Sequence, residues 1–305
     1  MTWVISRDLL HEGTQGRTGI GDDMPRTFLI TGVSSGLGRA FATAALDAGH
    51  TVVGTVRKPD QVTAFEQLAP DRAHARMLDV TDTDAIAPTV AAVENEFGPI
   101  DVLVNNAGYG VEGTFEETPL STFRHQFDVN VFGAIAVTQA VLPGMRERRA
   151  GHILFVTSMG GLRAFPGLAA YHGSKFAMEG IAATLGQEVA PLGIHVTAIE
   201  PGPVRTDWAG RSMDRVESTI ADYEPIFAPI RERRMDMSGQ ELGDPAMAGR
   251  ALLTVVEAEN PPTHLILGSD ALRLVADARS AFDAETAAWS EVSKSTDYPD
   301  GEQIA

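Results

Sequence analysis

From residue 27 onward, short apolar runs closed by small or polar residues alternate with longer stretches of helical period. Phe28-Leu29-Ile30 leads into Thr31-Gly32-Val33-Ser34-Ser35-Gly36-Leu37-Gly38, after which residues 39–48 have helical character and Gly49 is a stop. Residues 51–56 predict a second strand and residues 75–78 a third that ends at Asp79. A helix over 84–97 is closed by Gly98-Pro99. The fourth run, 100–104, is apolar throughout, as expected of a parallel strand covered on both faces. A helix is predicted over about 120–148 and a fifth strand over 152–157. A helix carrying Tyr171 then shows Met178, Ile181, Ala182, Leu185 and Val189 on one stripe, and 194–199 reads as a sixth strand. Residues 264–267 complete the set, with Ser269 expected to cap a following helix. Strand and helix in this order specify an α/β fold: a doubly wound parallel sheet of about seven strands in a single domain, with helices on both faces.

Composition narrows the function classes. A formal charge of -17 leaves no general basic face for nucleic acid or an anionic membrane. The absence of Cys removes disulfides, thiolate metal ligands and Cys nucleophiles, and no metal is expected. No uninterrupted apolar run approaches membrane-spanning length, so a cytoplasmic protein is expected. Residues 1–24 show no sustained hydrophobic period and are expected to form a disordered N-terminal extension, with Met24-Pro25-Arg26 as a natural beginning of the fold.

Candidate chemistry sits where strands run into turns. Gly32, Gly36 and Gly38 allow a tight turn through which a pyrophosphate could approach a helix N-terminus. The second strand ends without the acid that would hold a ribose 2′-hydroxyl, and Arg57 and Lys58 follow; that pair suits a 2′-phosphate, the alternative being a solvated pair balanced by Asp60. Tyr171 and Lys175 stand four apart on one helix face, where an ammonium can favour a phenolate and so create a general acid/base. A surface Tyr beside a surface Lys would leave the same spacing. The basic residues comprise 21 Arg and three Lys, so Lys175 runs against the bias of the chain. Asn130 stands among Val129, Val131 and Phe132, and a buried amide needs partners.

Taken together, Thr31-Gly32-x-x-x-Gly36-x-Gly38, Asp79, Asn105-Asn106-Ala107-Gly108, Asn130, Ser158, Tyr171-x-x-x-Lys175 and Pro201-Gly202 with Thr206 follow one another in an order that resembles the short-chain dehydrogenase/reductase family of the ordinary single-domain type, over roughly residues 27–270. The resemblance implies a Rossmann-like sheet, an NADP(H) cofactor with NAD(H) as the other possibility, and a small-molecule carbonyl or alcohol substrate. Tyr171 would be the proton donor or acceptor, Lys175 would lower its pKa and bind the nicotinamide ribose, Ser158 would hydrogen-bond the substrate oxygen, and Asn130 would hold a relay water. Cofactor contacts would come from Thr31, Gly32, Ser34, Ser35, Gly36, Leu37 and Gly38, from Arg57, Asp79 and Val80, from Asn106, Ala107 and Gly108, from Tyr171 and Lys175, and from Pro201, Gly202, Val204 and Thr206. Members commonly form dimers or tetramers through the helices that here carry Asn130 and Tyr171.

Residues 203–245 hold Trp208, Met213, Tyr223, Phe227, Met235 and Met237 in a charged stretch, which predicts two lid helices closing over an apolar or aromatic carbonyl compound. Packing of the lid itself would account for the same residues. Residues 231–234 read as a solvated helix face, and 281–305 as a C-terminal extension of undetermined role. Two other functions remain beside the reductase: a catalytically idle nucleotide-binding sensor or scaffold, and a sugar-nucleotide epimerase or dehydratase. Retention of Ser158, Tyr171 and Lys175 speaks against the first and the glycine spacing against the second.

Overall fold

The computed structural model describes residues 25–298 apart from 209 and 211, so the expectation for residues 1–24 lies outside the described residues. In chain order the elements are β1 (Thr27–Ile30), α1 (Gly36–Asp47), β2 (Thr51–Val56), α2 (Pro59–Glu66), β3 (Ala73–Met77), α3 (Thr83–Phe97), β4 (Val102–Asn105), β5 (Gly110–Glu112), α4 (Leu120–Phe127), α5 (Gly133–Arg148) and β6 (Gly151–Val156). They continue with α6 (Ala169–Val189), β7 (Ile194–Pro201), β8 (Met213–Arg215), α7 (Glu224–Met237), α8 (Pro245–Glu257), β9 (His264–Leu267), α9 (Ser269–Ala288) and α10 (Ser290–Lys294).

Seven strands form one parallel sheet in the order β3-β2-β1-β4-β6-β7-β9. Side-chain alternation explains why both faces are covered. Phe28, Ile30, Val52, Val56, Val102, Val104 and Leu154 point into one core with Phe41, Phe65, Leu252 and Val255 of α1, α2 and α8. Leu29, Val53, Leu103, Ile153, Phe155 and Val196 point into the other, with Val90, Val137, Val141, Met145 and Met178 of α3, α5 and α6. Each fully buried side chain of this size contributes roughly 1.5–3 kcal/mol relative to exposure. The order in which strands are added reverses between the parallel neighbours β1 and β4, and the loops leaving their carboxyl ends part there, opening the crevice where such sheets take ligands.

Several local expectations are corrected. The helix predicted over 120–148 is broken by a π turn at Asp128–Phe132 that carries Asn130. Within that helical run an 18-residue window has a mean hydropathy of 1.2, but Val137, Val141 and Met145 pack on the sheet. In place of two lid helices, residues 203–245 contain one long helix, α7, and the strand β8, which pairs in parallel with β5. Pro201 and Pro203 prevent an early helical start, and the Gly110–Glu112 edge offers β8 backbone partners. Ser269 does not cap α9: Gly268, at φ 108, holds the cap position, and Asp270 accepts from the Ala271 N–H. α9 runs unbroken across the expected boundary at residue 280.

Candidate active site

The turn after β1 is held by its neighbour β4. Thr31 Oγ1 accepts the N–H groups of Asn106 and Ala107 at 2.9 Å each, while Asn106 Nδ2 donates to Thr31 O at 2.9 Å and Gly32 O at 3.1 Å. Gly32 has φ +74, and a Cβ on Gly38 would lie 2.3 Å from Gly32 O and 2.4 Å from Asn106 Nδ2. The absence of side chains therefore leaves a cradle of backbone at the start of α1, whose N-cap Ser35 makes no capping bond with its side chain. Free first-turn N–H groups in such a cradle fit a diphosphate.

Other expected cofactor residues border this cradle. Thr206 lies over Gly36, 3.9 Å from the position of an added Cβ, so the loop after β7 crosses the glycine turn. Gly202 N–H is bound to Leu267 O, while Val204 forms a bridge with Gly243. Ser34 is half-buried at the turn, whereas Leu37 packs into the core beneath it. Val80 is buried against Gly133, and Gly108 approaches Asn130 Oδ1. Burial would lift the Asp79 carboxyl, but hydrogen bonds from Thr81 and the charges of Arg57 and His125 hold it below its ordinary value. Arg57 and Lys58 follow β2 with their backbone N–H groups on Gln61 Oε1, and among the described residues no carboxylate forms an ion pair with either.

On the other side of the crevice, β6 and α6 bring Ser158, Tyr171 and Lys175 together. Ser158 lies close enough to Tyr171 to pull its pKa down, and Lys175 Nζ lies 5.8 Å from the centroid of the Tyr171 ring while donating to Val156 O at 2.8 Å. Burial pushes the Tyr171 phenol up to about 12 against the pull of Ser158. Burial is the larger influence and no lowering by Lys175 accompanies it, so the protein by itself holds the phenol protonated at neutral pH. Burial also takes Lys175 down to about 8, with Glu179 acting in the opposite sense. Asn130 is a clamp: its Oδ1 accepts from Tyr109 N–H at 3.1 Å, and its Nδ2 donates to Tyr109 O at 3.0 Å and Ser174 Oγ at 3.1 Å. A relay water on this side chain would have to share those partners.

Three further features had partial signals in the sequence. Glu179, one turn beyond Lys175, meets Glu200 and His264 with ligand atoms within 4.8 Å of one another, and burial pushes both carboxyls up. Its i+4 spacing from Lys175 was visible; Glu200 and His264 come from distant strands. Trp208 packs on Tyr171 with ring centroids 5.2 Å apart, beside Leu168 and Met213. His172, inside the Tyr-Lys motif, is buried and bonded to the loop that carries Ser158.

The lid residues divide. Met213 and Trp208 close on Tyr171 and Phe227 packs on Gly167, whereas Met235 and Met237 are exposed. The 231–234 run is not simply solvated: Arg231 pairs with Glu224 at 2.9 Å, and Arg234 reaches Glu112 at 2.5 Å and Pro166 O at 3.0 Å. Glu112 lies on β5 and is buried, so the lid helix is tied to the core edge.

A crevice with a glycine cradle on one wall and a Ser-Tyr-Lys cluster on the other agrees with the comparisons to known proteins. The family model described as short chain dehydrogenase matches residues 26–216. The chain belongs to the short-chain dehydrogenase/reductase family. It is 38% identical over 271 residues to oxidoreductase BOA17 of Botryotinia fuckeliana, covering 88% of this chain and 98% of that protein. To the 3-ketodihydrosphingosine reductase of Bacteroides thetaiotaomicron it is 34% identical, covering 80% of this chain and 88% of the relative. A crystal structure of a short-chain dehydrogenase from Streptomyces avermitilis is similar with a TM-score of 0.85 and 39% identity, covering 90% of this chain and 99% of that one. As a short-chain dehydrogenase/reductase, the protein is an oxidoreductase that uses a nicotinamide dinucleotide and acts on a small molecule.

Proposed function

We propose that the protein is an NADP(H)-dependent carbonyl reductase or alcohol dehydrogenase with Tyr171 as its general acid/base. The observation that carries this reading is the cluster of Ser158, buried Tyr171 and buried Lys175 at the end of β6 across the crevice from the glycine cradle, with Lys175 Nζ 5.8 Å from the Tyr171 ring centroid and anchored on Val156 O. The nicotinamide supplies or accepts the hydride. In reduction, Ser158 donates a hydrogen bond to the substrate oxygen and steadies its developing charge, and Tyr171 transfers its proton there. Lys175, charged below about 8, stabilises the phenolate that this transfer leaves and contacts the cofactor ribose. Oxidation runs the same proton in the reverse direction.

NADP is favoured by Arg57 and Lys58, two cations without ion-pair partners among the described residues, at the strand end where an acid would otherwise select NAD. An apolar substrate is supported by Trp208, Met213 and Leu168 around Tyr171, by exposed Ile226, Met235 and Met237 on the lid helix, and by the long-chain keto-lipid named for one relative. Exposed Phe132 and Phe176, in the Asn130 turn and on the Tyr171 helix, support a homodimer or homotetramer through those helices. Purified protein should oxidise NADPH in the presence of acetophenone, 2-decanone or a long-chain 3-keto ester, with NADH as the poorer cofactor. No turnover with either cofactor over this panel would overturn the reading.

A further inference from the structure

Ser158 follows β6, whereas Tyr171 lies in the first turn of α6, so their alignment depends on the segment between them. His172 is buried, and both of its ring nitrogens reach into that segment. The Phe165 N–H donates to His172 Nε2 at 3.0 Å, and His172 Nδ1 lies 2.7 Å from Gly160 O. A backbone N–H can only donate and a carbonyl can only accept. Nε2 must therefore be bare and Nδ1 must carry the proton, which is the neutral Nδ1–H tautomer.

Gly160 passes this constraint on. Its own N–H donates to Ser158 Oγ at 2.9 Å, so Gly160 is held through its carbonyl by His172 and through its N–H by Ser158. With that lone pair of Ser158 occupied as an acceptor, the hydroxyl proton is left to the other side, where its partner is Pro201 O at the long distance of 3.5 Å, a weak bond that a substrate oxygen can replace. No side chain is accommodated at 160, because a Cβ would lie 2.9 Å from His172 Nδ1 and 3.2 Å from Ser158 Oγ. Burial, the largest influence, keeps the imidazole below its ordinary pKa against the Gly160 carbonyl, and the charge of Arg234 acts in the same direction as burial.

We propose that His172 is a positioning residue for the reaction: through Gly160 it sets the Ser158 hydroxyl as a hydrogen-bond donor toward the substrate oxygen beside Tyr171. This deepens the carbonyl-reductase reading and rests on it.

The test compares the wild type, His172→Ala and His172→Gln, using NADPH and the ketone of the panel that the wild type reduces fastest. Gln offers one donor and one acceptor in place of the two ring nitrogens. In His172→Ala, kcat should fall roughly 10- to 100-fold, the scale of a misplaced or lost oxyanion donor. NADPH affinity should stay within about twofold, since the cradle is untouched, and His172→Gln should recover kcat to within a few-fold of wild type. Undiminished kcat in His172→Ala, or a folded His172→Gln as impaired as His172→Ala, would overturn the inference alone. Failure of the wild type on every ketone would overturn the carbonyl-reductase reading and the inference with it. Should His172→Ala fail to fold, the ring tautomer in the wild type decides: nitrogen NMR at neutral pH must find Nδ1 protonated and Nε2 bare, and the opposite tautomer or a cation contradicts the proposal.

Discussion

The crevice at the carboxyl ends of β1, β4 and β6 and the lid formed by residues 203–242 are held by different kinds of bond. In the crevice, side chains are fixed to backbone: Asn106 to Thr31 and Gly32, Asn130 to Tyr109, Lys175 to Val156, and His172 to Gly160 and Phe165. The lid is fastened by Arg234 on buried Glu112 and by contacts nearer solvent, Tyr223 to Glu116 and the Thr219 and Ile220 N–H groups to Glu117. The exposed contacts are each worth about 0–1 kcal/mol, so the part of the lid held by them alone, residues 217–223, rearranges at less cost than the crevice. On the proposed function, chemistry falls on the rigid part and substrate choice on the adjustable part.

Four substitutions or conditions break or sharpen this contrast. Gly38→Ala puts a methyl against Gly32 O and the Asn106 amide, and should weaken NADPH binding by about 100-fold with a destabilisation of roughly 1–3 kcal/mol, read by titration and thermal melting. Arg57→Ala should weaken NADPH by about 10-fold, the scale of one lost charge-assisted hydrogen bond, and leave NADH unchanged. Equal effects on both cofactors would remove Arg57 from the 2′-phosphate. In the reductive direction the phenol stays protonated until about 12, whereas Lys175 loses its charge above about 8. kcat/KM should therefore be level on the acid side of about 8 and then decline by up to roughly tenfold per pH unit as that one proton is lost. Tyr223→Phe, which removes the exposed hydrogen bond from the lid to Glu116, should raise the ketone KM by only about two- to fivefold and leave NADPH affinity unaltered, read by steady-state kinetics and cofactor titration.

Legibility in the sequence follows the same division. The sheet was readable because alternate residues of each strand face two apolar cores, so continuous apolar runs such as 102–104 have one interpretation. Thr31, the three turn glycines, Ser158, Tyr171 and Lys175 were legible as positions at strand ends, their roles being what the family resemblance implies, and the structure gathers them at one end of the sheet. β5 and β8 were not: each is three residues long, and each depends on a partner about a hundred positions away. The π turn at Asn130 likewise needs Tyr109 and Ser174 to become apparent. α8 carries a local start signal in Asp244-Pro245, whereas nothing local reveals that Arg234 leaves the charged face of α7 for buried Glu112. The Tyr171–Lys175 spacing suggested an acidified phenol; only the structure shows that Tyr171 is buried and that burial raises it.

Proton transfer by Tyr171 is the centre of this account, and Tyr171→Phe tests it with one atom removed. Steady-state reduction of the best ketone by NADPH should fall about 10²- to 10⁴-fold, with cofactor affinity within about twofold of wild type. Turnover within a few-fold of wild type in a folded, NADPH-binding Tyr171→Phe protein would contradict it.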